Sequence, residues 1–148
     1  MANERTFHQH FKRSCVAAPA AITTGVVPAT YLDMQGHNRI VFLIDIGTVS
    51  AGSFQAQVVQ ATDAAGTGSK NVSGAVLPAA ITTSNKWATI EVPASALDIN
   101  GGFRFVSLSV TVSGTVNADV QALQYRSLQI PVDVSGDTAL SANVVVAG

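Results

Sequence analysis

The sequence predicts an all-β protein, and three observations support that class. Runs rich in Val, Ile and Thr are short and alternate apolar with polar residues, Gly, Pro, Asn or Asp separate the runs, and no long window keeps a helical period. Short strands that follow one another at close spacing are typical of an antiparallel β-sandwich. We therefore expect a jelly-roll-like antiparallel β-sandwich with an extended N-terminal arm.

The predicted strands alternate with a period of two residues. The clearest is 103–113, in which valine and leucine face the core while serine and threonine face solvent. Residues 39–47 are apolar on both faces, which predicts a strand that is buried on both sides. The remaining predicted strands are 29–34, 54–61, 87–92, 119–128, 128–134 and 138–146. Pro131 restricts strand 128–134 to an edge or a bulge.

The chain has 148 residues, a length typical of one domain. We expect residues 1–14 to form the arm and residues 15–148 to form the sandwich, with 135–148 as a second extended arm or an edge strand. The N-terminal arm is polar and net positive, and its two Phe residues are spaced either for one helical turn or for an extended segment that docks both rings on a partner. Its predicted partner-binding residues are Arg5, Phe7, Phe11, Lys12 and Arg13.

Charged residues are scarce for a soluble domain. They make up 11% of this chain, against about 25% in average domains. A monomer with so little charge is weakly protected against association, so the sequence predicts an obligate partner or an oligomer. The net charge of −1 argues against nucleic acid as the partner. No secretory signal and no apolar run long enough to span a bilayer occur in the sequence, so we expect no membrane partner.

Two pairs of segments echo each other along the chain. Residues 32–43 and 97–108 share Leu, Asp, Gly, Arg, Val and Leu at a constant offset. The hexapeptide Pro-Ala-Ala-Ile-Thr-Thr occurs at 19–24 and again at 78–83, and an insertion at 93–98 accounts for its different offset. Two equivalent strand–turn–strand units are expected in the two halves of a double Greek-key or jelly-roll sandwich.

Each of the longer echoes contains a predicted turn. Gln-Gly or Asn-Gly follows an Asp at a short distance, and the glycine supplies the positive φ that such turns need. An Arg then stands where the next strand begins. We therefore expect Asp33 to pair with Arg39, and Asp98 with Arg104, across the two turns.

The sequence predicts no catalytic, cofactor or metal site. His8, His10 and His37 could chelate a metal ion, but no Cys or carboxylate stands near them at metal-ligand spacing, and we expect them in solvent or at a partner contact. Cys15 is the only cysteine and has no neighbouring base, so it is expected to be a structural thiol that forms no intrachain disulfide.

Asp45 interrupts the apolar strand 39–47 and must be paired or lie at an edge. An acid pair with Asp63 or Asp119 would need two carboxylates close together in a cleft, as in glycoside hydrolysis. Nothing in the sequence brings these residues together, so an Arg is the expected partner of Asp45.

Residues 66–70 resemble a phosphate-binding loop, but the glycine spacing is wrong and no helix follows. We expect 61–70 to be a long hairpin loop in which Asp63 caps its own turn. Aromatic residues could form a platform for sugars or single-stranded nucleic acid, although packing in the core or an interface is the expected role. They are Tyr31, Trp87, Phe103, Phe105 and Tyr125.

Residues 58–74 and the run Leu-Asp-Ile-Asn-Gly-Gly-Phe-Arg-Phe-Val at 97–106 resemble small structural proteins encoded among the head genes of tailed bacteriophages. Members of that group are thought to be auxiliary capsid proteins, also called decoration or cement proteins. The resemblance covers roughly residues 30–115 and transfers no catalytic residue. It implies a protein made in the host cytoplasm that sits on the outer capsid surface, as a homotrimer in preference to a dimer, and staples neighbouring subunits of the major capsid protein.

The sequence therefore predicts a virion structural protein rather than an enzyme, one that decorates or cements a phage capsid without a cofactor. Two other functions stay open. The first is a head–tail connector, tail or fibre-base protein, which copy number per particle would separate from a decoration protein. The second is a carbohydrate-binding module or small β-enzyme, which a glycan screen and a hydrolase panel would reveal.

Overall fold

A computed structural model describes residues 11–126 and 140–146, and strands dominate this part of the chain. The strands are β1 Phe11–Ile22, β2 Gly25–Asp33, β3 Arg39–Ala61, β4 Lys70–Val76, β5 Lys86–Pro93, β6 Phe105–Tyr125 and β7 Leu140–Val145. Two short 3-10 helices, Ala94–Ala96 and Ile99–Gly101, lie between β5 and β6. The predicted all-β class is confirmed.

Hydrogen bonding joins these strands into a single seven-stranded sheet built around β3 and β6. The two central strands are antiparallel neighbours from one end, where Arg39 faces Tyr125, to the other, where Ala61 faces Phe105. Because they are 23 and 21 residues long, each contributes to two regions of the sheet. Half-sheet A contains β4, residues 53–61 of β3, residues 105–113 of β6, and β2. Half-sheet B contains β1, residues 115–125 of β6, residues 39–46 of β3, β5 and β7.

The sheet folds back at its middle, so that both half-sheets bury one face in a common core. Ile40 and Phe42 of β3 enter this core from half-sheet B, Phe54 and Val58 enter it from half-sheet A, and all four are 0% exposed. Buried side chains of the two half-sheets form one contiguous cluster. Burial of each such side chain stabilises the fold by about 1.5–3 kcal/mol.

The bend lies at residues 47–52 of β3 and 113–115 of β6, where the pairing register shifts. Ala51 and Gly114 adopt left-handed backbone conformations there, with φ of 49° and 66°. A Cβ on Gly52 would lie 1.9 Å from the carbonyl oxygen of Ser113, and one on Gly114 would lie 2.5 Å from the carbonyl oxygen of Ala51. The two central strands therefore cross at a separation that only glycine permits.

The end of the molecule opposite the bend, the turn end, carries the two turns that precede β3 and β6. Each turn begins with a capping carboxylate. Asp33 Oδ1 accepts a hydrogen bond from the N–H of Gln35, and Asp98 Oδ1 accepts one from the N–H of Gly101. Each also contains a glycine with φ of 80°, Gly36 or Gly102. The predicted positive φ is present at Gly36, but in the second turn it falls on Gly102 and not on Gly101 of the predicted Asn-Gly, because Gly101 ends a 3-10 helix.

The internal echo corresponds to an approximate two-fold arrangement of strands about the bend. β2 pairs with the first half of β6, and β5 pairs in the same way with the first half of β3. β1 pairs with the second half of β6, and β4 pairs in the same way with the second half of β3. The isoleucines of the two hexapeptides occupy matching places, since Ile22 pairs with Val116 and Ile81 forms a bridge with Phe54. The first hexapeptide belongs to β1 as far as Ile22, whereas the second lies outside the strands. The insertion predicted at 93–98 coincides with the 3-10 helix that follows β5.

Several strand predictions change in the structure. The predicted strands 39–47 and 54–61 are both parts of β3, because register shifts join them without a loop, and the same holds for β6. Two strands were not predicted, because β1 contains Pro19 and much alanine and β4 contains Gly74, which lower β propensity. β7 pairs with β5 in parallel, whereas an antiparallel sandwich was expected. The predicted strand 128–134 lies outside the described residues, and the jelly-roll-like sandwich stays a prediction.

The N-terminal arm does not extend to residue 14 as predicted. Phe11 pairs with Tyr125 and Ser14 with Ala122, so residues 11–14 belong to β1. The physical reason is that this strand gives hydrogen-bond partners to one side of β6, which leaves fewer backbone groups unpaired. Of the C-terminal segment 135–148, residues 140–145 form β7 at the edge of half-sheet B, one of the two predicted alternatives.

Candidate interaction surfaces

The predicted partner-binding residues separate into two groups. Arg5 and Phe7 lie outside the described residues, while Phe11, Lys12 and Arg13 are in β1. The Phe11 ring packs on the Tyr125 ring with centroids 5.4 Å apart. Arg13 Nε donates a hydrogen bond of 3.1 Å to Gln121 Oε1. Phe11 and Arg13 therefore make contacts within the fold, and Lys12 is exposed at the edge of the sheet.

The predicted ion pairs Asp33–Arg39 and Asp98–Arg104 are wrong. Arg104 Nη2 lies 3.1 Å from Asp33 Oδ2, so this pair joins the second turn to the first. The other two predicted members have different partners: Arg39 Nη1 contacts Glu91 at 2.6 Å, and Asp98 accepts from a lysine. The reason is that Arg39 begins β3 and Arg104 directly precedes β6, so the direction of each side chain follows the sheet and not the turn before it.

Glu91 links two side chains on the outer face of half-sheet B. Its Oε1 accepts the Arg39 hydrogen bond and a second one of 2.7 Å from the Tyr125 hydroxyl. Burial, reinforced by this hydrogen bond, raises the pKa of Tyr125 above its usual range. A second contact at the turn end places Lys70 Nζ 2.5 Å from Asp98 Oδ2, and the hydrogen bond from Lys70 lowers the pKa of that carboxyl.

Asp45 does not pair with an Arg as predicted. Asp119 stands directly opposite it on the neighbouring strand. Burial, and secondly the charge of Asp119, raise the pKa of the Asp45 carboxyl. Both carboxylates border a groove of about 400 Å³, lined also by Pro19, Ala20, Gly47, Asn117 and Ala118. Alignment along β3 and β6 thus produced an acid pair that the sequence spacing did not indicate.

The loop between β3 and β4 has the predicted turn chemistry. Asp63 Oδ1 accepts two backbone N–H groups at 3.0 Å, from the second and fourth residues after it. Gly66 and Gly68 have φ of 87° and 64°. The loop packs on Tyr31, whose hydroxyl lies 2.8 Å from the Ser69 hydroxyl. The loop is therefore held against β2 by its own capping carboxylate and by one aromatic residue.

The aromatic residues do not share one platform. Tyr31 and Phe105 belong to a small separate cluster, and Lys70 Nζ covers Phe103 at 4.0 Å from the ring centroid. Trp87 lies opposite Asp45 and Tyr125 opposite Arg39, which separates them by six residues along β3, or about 20 Å.

The remaining candidates for chemistry are separate from one another. Within residues 11–126 and 140–146, no three His, Cys, Asp or Glu side chains are grouped so that they could hold a metal ion. His37 Nδ1 lies 3.1 Å from the carbonyl oxygen of Gln35, and Cys15 is exposed. His8 and His10 lie outside the described residues. The helices in the described part of the chain are too short to cross a membrane.

Charge is unevenly distributed over the described surface. All three ion pairs lie at the turn end. In contrast, segments 14–32, 46–62, 71–85 and 105–118, each of which reaches the bend, contain no Asp, Glu, Lys or Arg. Asp45, Lys86 and Asp119 lie directly beside them at the margin of the bend. Exposed residues at this bend end are Thr23, Thr24, Thr48, Ser50, Thr82, Thr83, Asn85, Ser113 and Thr115. The sequence predicted low charge overall, but only the fold brings four separate uncharged segments to one end.

No family model, curated protein or solved structure matches this chain. Its surface chemistry is therefore the guide to its function.

Proposed function

We propose that this chain is a structural protein of a phage virion, which decorates or cements the capsid by binding between subunits of the major capsid protein. The observation that carries the proposal is the uncharged bend end. The centres of protein interfaces are depleted of charged residues, because removing a charge from water costs far more than removing a hydroxyl or a methyl group. A domain with one uncharged exposed end is suited to lie with that end against another protein.

The distribution of charge also gives the bound domain an orientation. The turn end holds Asp33, Lys70, Asp98 and Arg104, all at least partly exposed, and is suited to remain in water. We therefore place the bend end against the shell and the turn end outward. Many copies on a repeating lattice need only modest affinity each, because contacts with two or more neighbours reinforce one another.

The resemblance of residues 58–74 and 97–106 to phage head proteins selects the capsid as the partner. It does not separate decoration of the shell from a place in the connector, tail or fibre base. Copy number distinguishes these locations, since a decoration protein is present in hundreds of copies per particle and a connector or tail protein in small rings. Quantitative mass spectrometry of purified virions measures this number directly.

The direct test is binding to bare shells assembled from the coat protein encoded in the same genome. The variant combines Ser50→Glu and Thr115→Glu, which face each other at the bend. The matched control is Ser95→Glu, exposed at the turn end beside β5. We expect the control to saturate the shells like the original chain and the bend variant to lose binding while keeping its circular dichroism spectrum. Equal binding by both variants would contradict the proposal.

A further inference from the structure

The repeated hexapeptide is exposed in both of its copies. In residues 19–24 and 78–83 every side chain except the isoleucine is exposed to solvent. The two isoleucines alone turn inward, and both pack on the common core. Five of the six matching positions therefore lie on the surface, where packing places little restriction on residue type.

The fold explains the isoleucines but not the identity of the residues around them. Ile22 pairs with Val116 of β6 and Ile81 with Phe54 of β3, in each case just after the bend. Both places border the core, so an apolar residue is required there. Elsewhere the two halves differ at matching half-buried places. Leu43 on the outer face of half-sheet B occupies the place that Ser109 occupies in half-sheet A, counted from the first residue of β3 and of β6.

The hydrogen bonds that tie the hexapeptide segments to the central strands at the bend do not require the threonines of the two hexapeptides to match either. Thr24 Oγ1 accepts the N–H of Val112 at 2.8 Å and donates to its carbonyl at 3.1 Å. In the second copy this place is taken by Ser84, which lies after the hexapeptide and accepts the N–H of Val49 at 2.9 Å. The same structural task thus falls on different positions of the two repeats, so it does not require Thr24 and Thr83 to match.

Two exposed segments are expected to keep identical residues when both of them bind the same surface of a partner protein. We propose that the two hexapeptides are two copies of one docking site, and that the chain bridges two identical coat subunits that face each other across a local two-fold axis of the shell. This inference rests on the proposed function and adds the geometry of the contact. The exchange of β3 and β6 about the bend supplies the matching two-fold relation within a single chain.

The chemistry of the hexapeptides defines the coat surface that fits them. Proline and the two alanines present a shallow apolar surface, and the threonines beside them offer hydroxyl groups that donate and accept hydrogen bonds. No charged residue lies in either hexapeptide, but Pro19 and Ala20 border the groove that also holds Asp45 and Asp119. The complementary coat loop is therefore free of acidic residues, with a small apolar contact and a backbone or side-chain polar group within reach of a threonine hydroxyl.

The test compares Thr23→Val with Thr82→Val, since each removes one exposed hydroxyl, keeps the side-chain shape and lies outside the strands. Thr30→Val, exposed on β2 near the turn end and outside both hexapeptides, is the matched control. Binding to bare coat-protein shells should weaken by the same factor in both single variants, about two- to tenfold for one lost hydrogen bond. In the double variant the two factors should multiply, and the control should bind like the original chain.

Unequal effects of Thr23→Val and Thr82→Val, or no effect of either, would overturn the two-site inference. A cryo-electron microscopy map of decorated shells provides an independent measurement, in which the two hexapeptides should contact the same loop of two coat subunits. Contacts with two different loops would also overturn it. If the original chain fails to bind shells, the proposed function itself fails, whereas normal binding with unequal variants removes the two-site inference alone.

Discussion

The glycines at the bend give the sharpest prediction about stability. In Gly52→Ala the new Cβ would stand 1.9 Å from the carbonyl oxygen of Ser113, and in Gly114→Ala it would stand 2.5 Å from that of Ala51. Gly114 also has φ of 66°, a conformation that costs a residue with a Cβ about 1–2 kcal/mol. The backbone must also shift to relieve either overlap, which costs about 1–3 kcal/mol. We expect Gly114→Ala to lower the free energy of unfolding by about 2–5 kcal/mol and Gly52→Ala, which has only the overlap, by about 1–3 kcal/mol.

Gly47→Ala is the matched control within the same bend. Its Cβ would lie 3.6 Å from the nearest atom, an ordinary contact, and its φ is not positive. We expect this change to alter stability by less than about 0.5 kcal/mol. Urea unfolding followed by circular dichroism measures all three variants, with the midpoints compared at constant slope. Equal midpoints for Gly52→Ala and Gly47→Ala would refute the close crossing of β3 and β6, and Gly114→Ala provides the comparison if Gly52→Ala does not fold.

Three further predictions follow from the surface. Glu91→Gln replaces the charged acceptor that Arg39 and Tyr125 share with a neutral amide oxygen, so we expect a loss of about 1 kcal/mol in the free energy of unfolding, checked against Tyr125→Phe in a double-mutant cycle. The pKa of Asp45 is raised on folding, so its ionised form opposes folding as pH rises above the ordinary value of 3.8. Asp45→Asn should therefore be more stable than the original chain at neutral pH, by about 0.2–1 kcal/mol for opposed like charges. The difference should vanish well below pH 3.8, because Asp45 is then uncharged like the asparagine; a constant difference across pH would contradict this. Binding to bare shells should change less than about threefold between low and high salt, because the exposed residues assigned to the bend end are uncharged and Asp45, Lys86 and Asp119 lie beside that contact and not within it. A steep salt dependence would contradict the assigned orientation.

Alternation of apolar and polar residues predicted the interiors of the central strands, because burial restricts residue type at every second position. Ile40 and Phe42 of β3, and Leu108 of β6, face the core as their pattern indicated. The same pattern did not predict β1 or β4, because an edge strand depends on the backbone of its neighbour more than on its own side chains. The pattern also did not predict the bend in β3 and β6. The close approach of Gly52 and Gly114 to the opposite strand arises only when the two strands pair, so no single segment of sequence indicates it.

The candidate surface could be predicted only in part. Low overall charge indicated a protein-binding role, but the position of the uncharged end depends on four segments that are distant in sequence. The echo correctly indicated two similar turns, yet it misassigned the charge pairs, because Asp33 and Arg104 come from different repeats. Contacts between repeats cannot be derived from the spacing within one repeat.

The arrangement of β3 and β6 also has a consequence for how each repeat could exist. The first repeat contains β1 to β3 and the second contains β4 to β6, and each half-sheet takes strands from both. All pairing between β3 and β6 is therefore pairing between repeats, and neither repeat by itself can complete a half-sheet. A lone repeat would have to recruit a second copy of itself, and two copies would rebuild these strand neighbours as a homodimer. The loop between β3 and β4 makes that association intramolecular, so the fold of this chain corresponds to a tethered dimer in which the pairing of the two repeats does not depend on protein concentration.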